Sequence, residues 1–256
     1  MGATACNGSE NSSPVFYLVG IPSLPESLFL PVFWIFLLIY LLVLVGNALI
    51  LVAVVAEPRL HKPMYFFLIN LSALDILSTT TTVPKMLSLF LLGDHLFSFP
   101  ACFLQMYLFH GLNCSEAFIL VVMAYDRYVA ICRPLHYTVL MTPQTNAALA
   151  ASAWLTALLL PIPAVAQTSQ MAFGPRARVY HCFCDHLAVV QASCSDTTYV
   201  AYRAELSLDF HIMGNVVFAI LTPVLNPLIY TLRNKDVKAA ITKITCPQDG
   251  GHSGGP

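Results

Sequence analysis

The chain has 256 residues, 57% of them hydrophobic and only 10% charged, with a formal net charge of −1. Soluble domains carry about a quarter charged residues, so this composition excludes an ordinary water-soluble globular domain. The near-neutral charge gives no reason to expect a nucleic-acid partner.

Residues 1–26 hold no basic start followed by a short apolar core, so the first span is expected to act as its own targeting signal. From Ser27 to Ala56 no side chain is charged, and most positions are Leu, Val, Ile or Phe. About 20 apolar residues cross roughly 30 Å of hydrocarbon, so this stretch spans a bilayer with room to tilt. The second apolar stretch, from Met64 to about Leu91, carries Asp75 and Lys85. Its apolar residues supply about −4 kcal/mol and Asp75 costs about +3 kcal/mol, so it is marginal alone and is expected to insert as a hairpin with the first span. Asp75 must then face the bundle, and ionisable residues inside spans are functional candidates by default.

A third stretch, 101–125, contains His110 and Glu116, and a fourth, 146–166, contains no charge. Residues 187–202 have apolar patches that never reach span length, whereas 212–232 is just long enough. The expected organisation is therefore an N-terminal tail over 1–26 and a transmembrane domain over 27–232. Its spans are 27–56, 64–91, 101–125, 146–166 and 212–232, and a tail over 233–256 follows. The final residues, Cys246 to Pro256, are rich in Gly and Pro and are expected to be disordered.

Orientation follows from the basic residues of the short loops. With the N-terminus outside, Arg59, Lys62, Arg127, Arg133, Arg233, Lys235, Lys238 and Lys243 are cytoplasmic, and only Arg176, Arg178 and Arg203 lie outside. The sequons Asn7-Gly-Ser and Asn11-Ser-Ser fall in the outer tail and are expected to be glycosylated. Those at Asn70 and Asn113 lie inside spans, out of reach of the modifying enzyme.

Five motifs stand in order along this frame. Gly46-Asn47 lies in the first span, and Leu60-His-Lys-Pro-Met-Tyr-Phe-Phe-Leu68 follows it. Leu71-Ser-Ala-Leu-Asp75 lies in the second span. Met123-Ala-Tyr-Asp-Arg-Tyr-Val-Ala-Ile-Cys-Arg-Pro-Leu-His-Tyr137 closes the third. Asn226-Pro-Leu-Ile-Tyr230 ends the last, followed by Leu232-Arg-Asn-Lys235. Together these resemble an odorant receptor of the rhodopsin-like G-protein-coupled class. The resemblance covers about residues 14–243 with one gap: Cys194-Ser-Asp-Thr-Thr198 resembles the end of the second outer loop and runs straight into Tyr199-Val-Ala-Tyr-Arg203, which resembles the outer end of helix six. The implied fold is an all-α transmembrane bundle of seven-helix architecture with about five spans present and a short cytoplasmic amphipathic helix. Helix five, the third cytoplasmic loop and most of helix six are absent. Removing an even number of spans keeps the basic tail on its proper side.

Each motif carries two readings. Asp126-Arg127, with Tyr128, is either an interfacial ion pair that anchors helix three or, as the resemblance implies, an activation switch that releases Arg127 toward the G protein. Pro227 removes a backbone hydrogen bond and kinks the last span, while Asn226 can reach Asp75 or Asn47. With Tyr230 this is either polar glue between helices or the activation-sensitive cluster that in rhodopsin-like receptors can hold sodium. Phe109, His110, Asn113, Cys114 and Ala117 form one stripe at helical spacing. The stripe is either interhelical packing or, by resemblance, the wall of an odorant pocket in which His110 and Asn113 make the polar contacts. Glu116 lies off this stripe and is expected to bond to neighbouring helices.

Cys6, Cys102, Cys182, Cys184 and Cys194 lie in outer segments, where disulfides are the default. The family pattern pairs Cys102 with Cys184. It pairs Cys194 with a cysteine before a Gly-Pro, but Phe173 stands there, and Cys182 is the expected substitute. The alternative for His181-Cys-Phe-Cys-Asp-His186 is a zinc or copper site, although no resident metal or cofactor is expected.

The resemblance implies a plasma-membrane receptor that binds a small volatile odorant between its helices and signals through the olfactory stimulatory G protein. Without helix six this form is expected to couple poorly. The alternative is a non-signalling form, retained in the endoplasmic reticulum or pairing with other receptors. Membrane lipid is the remaining partner. There is no inverted repeat to suggest a carrier, and no hydrolytic or phosphate-binding constellation to suggest an enzyme.

Overall fold

A computed structural model describes residues 15–60, 62–194, 221–227, 229 and 234–245. Among the described residues, four helical stretches are long and apolar enough to cross a membrane: Glu26–Ala56, Pro63–Leu92, Phe99–Cys132 and Pro143–Ser169. Of the expected fifth span, 221–227 is helical, and much of the remainder lies outside the described residues.

The first stretch is α1, Phe29–Ala56, preceded by one 3-10 turn at Glu26–Leu28. Trp34, Leu38, Leu42, Val45 and Val52 are exposed along it. So much apolar surface belongs against hydrocarbon. The second, α2, is Pro63–Leu92. Pro63 opens it at a position where the missing N–H costs nothing. Gly93 closes it with φ +62°, its N–H bonded to Leu89 O at 3.1 Å while Asp94 N–H reaches Ser88 O. That left-handed cap is one a Cβ would oppose. The third, α3, is Phe99–Cys132, again opened by a proline. It continues past the expected end at 125 because Asp126-Arg127 lowers hydropathy without breaking the helix. Pro134 stands just beyond its end.

A short helix α4, Tyr137–Leu140, leads to α5, Pro143–Leu159, whose Thr142 cap accepts from Thr145 N–H at 3.2 Å. Pro161 and Pro163 break the fourth stretch, so it resumes as α6, Ile162–Ser169. Beyond it lie α7, His186–Gln191, capped by the Asp185 carboxylate, and α8, Lys235–Thr245. The apolar side of α8 places Val237 and Ala240 against Ile50, Ala53, Val54 and Leu68 of α1 and α2.

One end of the bundle carries a small sheet that the sequence did not suggest. Its strands are β1, Val15–Leu18, β2, Leu96–Ser98, and β3, Arg176–Val179, in the order β2-β1-β3. The central strand β1 pairs antiparallel with β2 (Phe16 opposite Phe97) and parallel with β3 (Phe16 opposite Ala177). Phe16 and Leu18 point inward and pack with Phe103, Met106, Phe109 and Phe183. The other end carries α8.

Candidate functional site

Near the middle of the bundle, polar side chains from four helical segments converge. Asn226 Nδ2 donates to Asp75 Oδ1 and Oδ2 at 3.1 and 3.2 Å and to Glu116 Oε1 at 3.0 Å. Asn47 Nδ2 donates to Val43 O at 3.1 Å and to Pro223 O at 3.3 Å, tying α1 to the last span. Pro227 packs on Gly46, where an added Cβ would sit 3.3 Å from the proline ring. Asp75, Glu116, Asn47 and Asn226 are all buried. In low dielectric two neighbouring carboxyl groups each need a hydrogen-bond partner, and one amide serves both. The sequence placed Asn47, Asp75 and Asn226 together but set Glu116 apart. Glu116 does bond to a neighbouring segment, and its partner is this same amide. Tyr230 lies outside the described residues.

Toward the sheet end, the stripe on α3 separates into inner and outer members. Phe109 is buried, with its ring 4.9 Å from Phe183 and 5.4 Å from His110. The His110 ring stands 6.1 Å from His186, whose Nε2 lies 3.0 Å from Thr168 Oγ1. His110 Nε2 is buried and has no hydrogen-bond partner among the described residues. Asn113 turns back to its own helix, donating to Phe109 O at 2.6 Å. Cys114 is a free, half-buried thiol, and Ala117 is exposed. The structure thus brings Phe109 and His110 to one spot with Phe183 and His186, which sequence reasoning left out, and leaves Asn113, Cys114 and Ala117 outside it.

The loop bearing Phe183 is held down twice. Cys102 and Cys184 form a disulfide with Cα atoms 5.4 Å apart. Gln105 accepts from Cys184 N–H at 2.9 Å and donates to Thr81 O at 2.9 Å, close to the break that Pro84 makes in the α2 ladder. A glutamine in an apolar run was the available signal for this brace. The expected Cys182–Cys194 pairing is corrected by the structure. Cys182 is a free thiol, wholly buried in the core with Phe183, and Cys194 is disulfide-bonded to a residue outside the described ones. Burial pushes the Cys182 thiol up to about 12. With Cys184 oxidised, the alternative metal cluster over 181–186 loses one of its thiolates. Cys6, Asn7 and Asn11 lie outside the described residues.

At the α8 end, Asp126 and Arg127 do not form a close ion pair. Their nearest atoms, Arg127 Nε and Asp126 Oδ2, stand 4.0 Å apart, with the Asp126 side chain 1% and the Arg127 side chain 51% exposed. The partner of Asp126 is Tyr137, whose hydroxyl donates to Oδ1 at 2.8 Å. Burial, and then that bond to a carboxylate, raise the Tyr137 phenol above its ordinary range. Tyr128 is exposed and turned off the bundle. Asn234 caps α8, accepting from Asp236 and Val237 N–H, and Tyr65 donates to both Asn234 and Asp236 at 3.2 Å.

A bundle of apolar spans with buried carboxylates at its centre, a disulfide-braced lid at one end and an exposed arginine at the other defines a multi-pass membrane protein of receptor architecture. The family model for olfactory receptors matches residues 36–203. Human olfactory receptor 2AT4 is 64% identical over 315 aligned positions, covering 98% of both chains. Human olfactory receptor 12D1 is 34% identical, covering 89% of this chain and 92% of its own, and rat olfactory receptor 1f45 is 33% identical, covering 92% and 96%. The chain belongs to the olfactory receptor family, which is not a family of enzymes. Because 315 aligned positions must accommodate a chain of 256 residues, at least 59 positions of the first relative have no counterpart here. That is the length of two spans and a loop, and it accords with the absence of helices five and six.

Proposed function

We propose that this chain is an odorant receptor variant that binds small volatile molecules at the sheet end and couples poorly to the olfactory stimulatory G protein. On this reading the protein sits in the plasma membrane with its N-terminus outside, Asn7 and Asn11 glycosylated, and 233–256 in the cytoplasm. The observation that carries it is the missing segment. Phe109 and His110 still meet Phe183 and His186 beneath the braced loop, so aromatic walls and one free imidazole nitrogen suit a small, weakly polar ligand. Asn113, Cys114 and Ala117 complete the wall only if other helices come over them. A ligand shifts a conformational equilibrium only through its different affinity for the two states, and the missing helices hold much of that difference.

The test is an odorant panel on cells expressing the chain, beside a chimera that receives the corresponding segment of a full-length relative between Thr198 and Tyr199. A cAMP response from the chimera alone is expected, and a robust odorant-evoked rise from the chain as it stands overturns the proposal.

A second reading is favoured by the face of α3 that this chain leaves open. Val121 is 64% and Ile131 76% exposed, with Tyr125 and Tyr128 beside them. Such a face suits a form that is retained in the endoplasmic reticulum or pairs with other receptors. Bright staining of an N-terminal tag on unpermeabilised cells rules out retention.

A further inference from the structure

At the α8 end two cavities meet on one side chain. The first, of about 760 Å³, is lined by Lys62, Arg127 and Lys235 together with Tyr65, Ile131 and Tyr137, and Asp236 is the acid among its lining residues. The second, of about 440 Å³, is bounded by Val54, Leu60, Phe66, Ile69 and Met141, and Lys62 reaches it too. One cavity is basic and the next is apolar, with a lysine shared between them. Asp236 is already engaged by the Tyr65 hydroxyl at 3.2 Å, and Arg127 has only a 4.0 Å approach to Asp126, so among the described residues the cations lining the cavity outnumber the acids. The first turn of α2, opened by Pro63 directly after Lys62, adds its dipole to the same spot.

A ligand that satisfies both cavities is amphiphilic, with a head of more than one negative charge and a hydrocarbon chain. A docking peptide would use the basic cavity and leave the apolar one empty. We infer that the two cavities form one site for a polyanionic phospholipid of the cytoplasmic leaflet, with its head among Lys62, Arg127 and Lys235 and one acyl chain along Leu60, Phe66 and Met141. Anionic lipids are concentrated in that leaflet. The head occupies the arginine that the receptor reading makes a switch, so bound lipid and a docking G protein exclude each other. The choice of leaflet rests on the proposed orientation, whereas the chemistry of the site does not.

The test uses the full chain in neutral-detergent micelles, which are blind to sidedness, so a negative result here is distinct from a wrong orientation. The probe is a fluorescent phosphatidylinositol bisphosphate. Lys62→Gln and Lys235→Gln are each expected to weaken binding about fivefold, the effect of one basic group at an anionic surface. Lys62→Arg should retain it, and Lys238→Gln, a control residue on neither cavity, should not alter it. Phe66→Ser should weaken the lipid but not the water-soluble inositol phosphate headgroup, which itself binds less tightly than the lipid. Equal binding by wild type and the Lys62/Lys235 double variant overturns the inference. So does a headgroup that competes as well as the lipid, which would mark a site for free phosphate. Equal displacement by phosphatidylcholine would mark an unselective apolar groove and overturns it as well.

Discussion

Replacing Cys102 and Cys184 by alanine tests how far the loop over the sheet end depends on its covalent tie. The bridge closes a sequence separation of 82 residues. For a chain that unfolds to a random coil, that loop corresponds to about 4.5 kcal/mol of denatured-state entropy. The coil is the wrong reference here, because α3, α5 and α6 lie between the cysteines and remain helical in the bilayer or micelle after tertiary contacts are lost. The segment actually freed runs from the end of α6 at Ser169 to Cys184. A loop of about 15 residues gives about 3 kcal/mol, close to a hundredfold in the unfolded-to-folded ratio. The Gln105 bond to Cys184 N–H and the β1–β3 pairing persist without the bridge, so the loop should loosen rather than depart. Unfolding titrations in mixed micelles on wild type, both single variants and the double variant measure this. All three variants should lose the same amount, since each removes one and the same bond. A loss below about 0.5 kcal/mol, or single losses that add in the double variant, would refute the reasoning.

Three further outcomes follow from contacts in the structure. Tyr137→Phe leaves Asp126 without its donor at 2.8 Å and should cost about 1.5 kcal/mol in the same titration. Because the folded Tyr137 phenol is raised above 10.0, the contribution of its proton is complete at neutral pH and falls away as the pH climbs past that value, so wild type and Tyr137→Phe should converge in strong alkali. Gly111 lets α3 approach α5, with an added Cβ 3.0 Å from Leu158 Cδ2 and 3.8 Å from Leu158 Cα. Gly111→Ala should be tolerated by a shift of the leucine tip, whereas Gly111→Val meets backbone and should cost about 1–3 kcal/mol. Asn226→Ala removes the donor shared by two buried carboxyl groups and should lower stability by about 2 kcal/mol, and Asn226→Asp, which replaces that donor by a third acid, should be worse; equal stability of the two would refute the shared-amide geometry.

The helices were legible because hydrocarbon imposes a simple demand, a long run without charge, and Ser27 to Ala56 meets it without any tertiary information. Their ends were less so. The break at Pro161 and the start at Pro143 were written in the sequence as proline positions, but a hydropathy run passes over both. The sheet had no local signal, since four-residue strands pair Val15 with Arg176 across the length of the chain. At the aromatic cluster over α3, periodicity grouped Phe109 with His110 because both sit on one helix. It could not find Phe183 or His186, which a loop brings over them. Cys182 and Cys194 show the same boundary: their outer location made pairing reasonable, and only the three-dimensional path shows one thiol buried in the core and the other already bonded.

The missing segment falls unevenly on the two halves of the bundle. The polar centre is assembled from Asn47 on α1, Asp75 on α2, Glu116 on α3 and Asn226 on the last span, and none of these belongs to the missing segment. Removing two helices between α7 and the last span preserves the direction in which that span runs, so Asn226 still arrives opposite Asp75 and α8 still docks on α1. The face of α3 beyond this centre is exposed, from Ala117 through Val121 and Tyr128 to Ile131. On the proposed reading, folding of the inner hub and transmission of a signal across the bundle depend on different helices. A chain that keeps the first set and lacks the second should assemble its polar core while failing to move it, which is why stability of the core and odorant response should be measured separately.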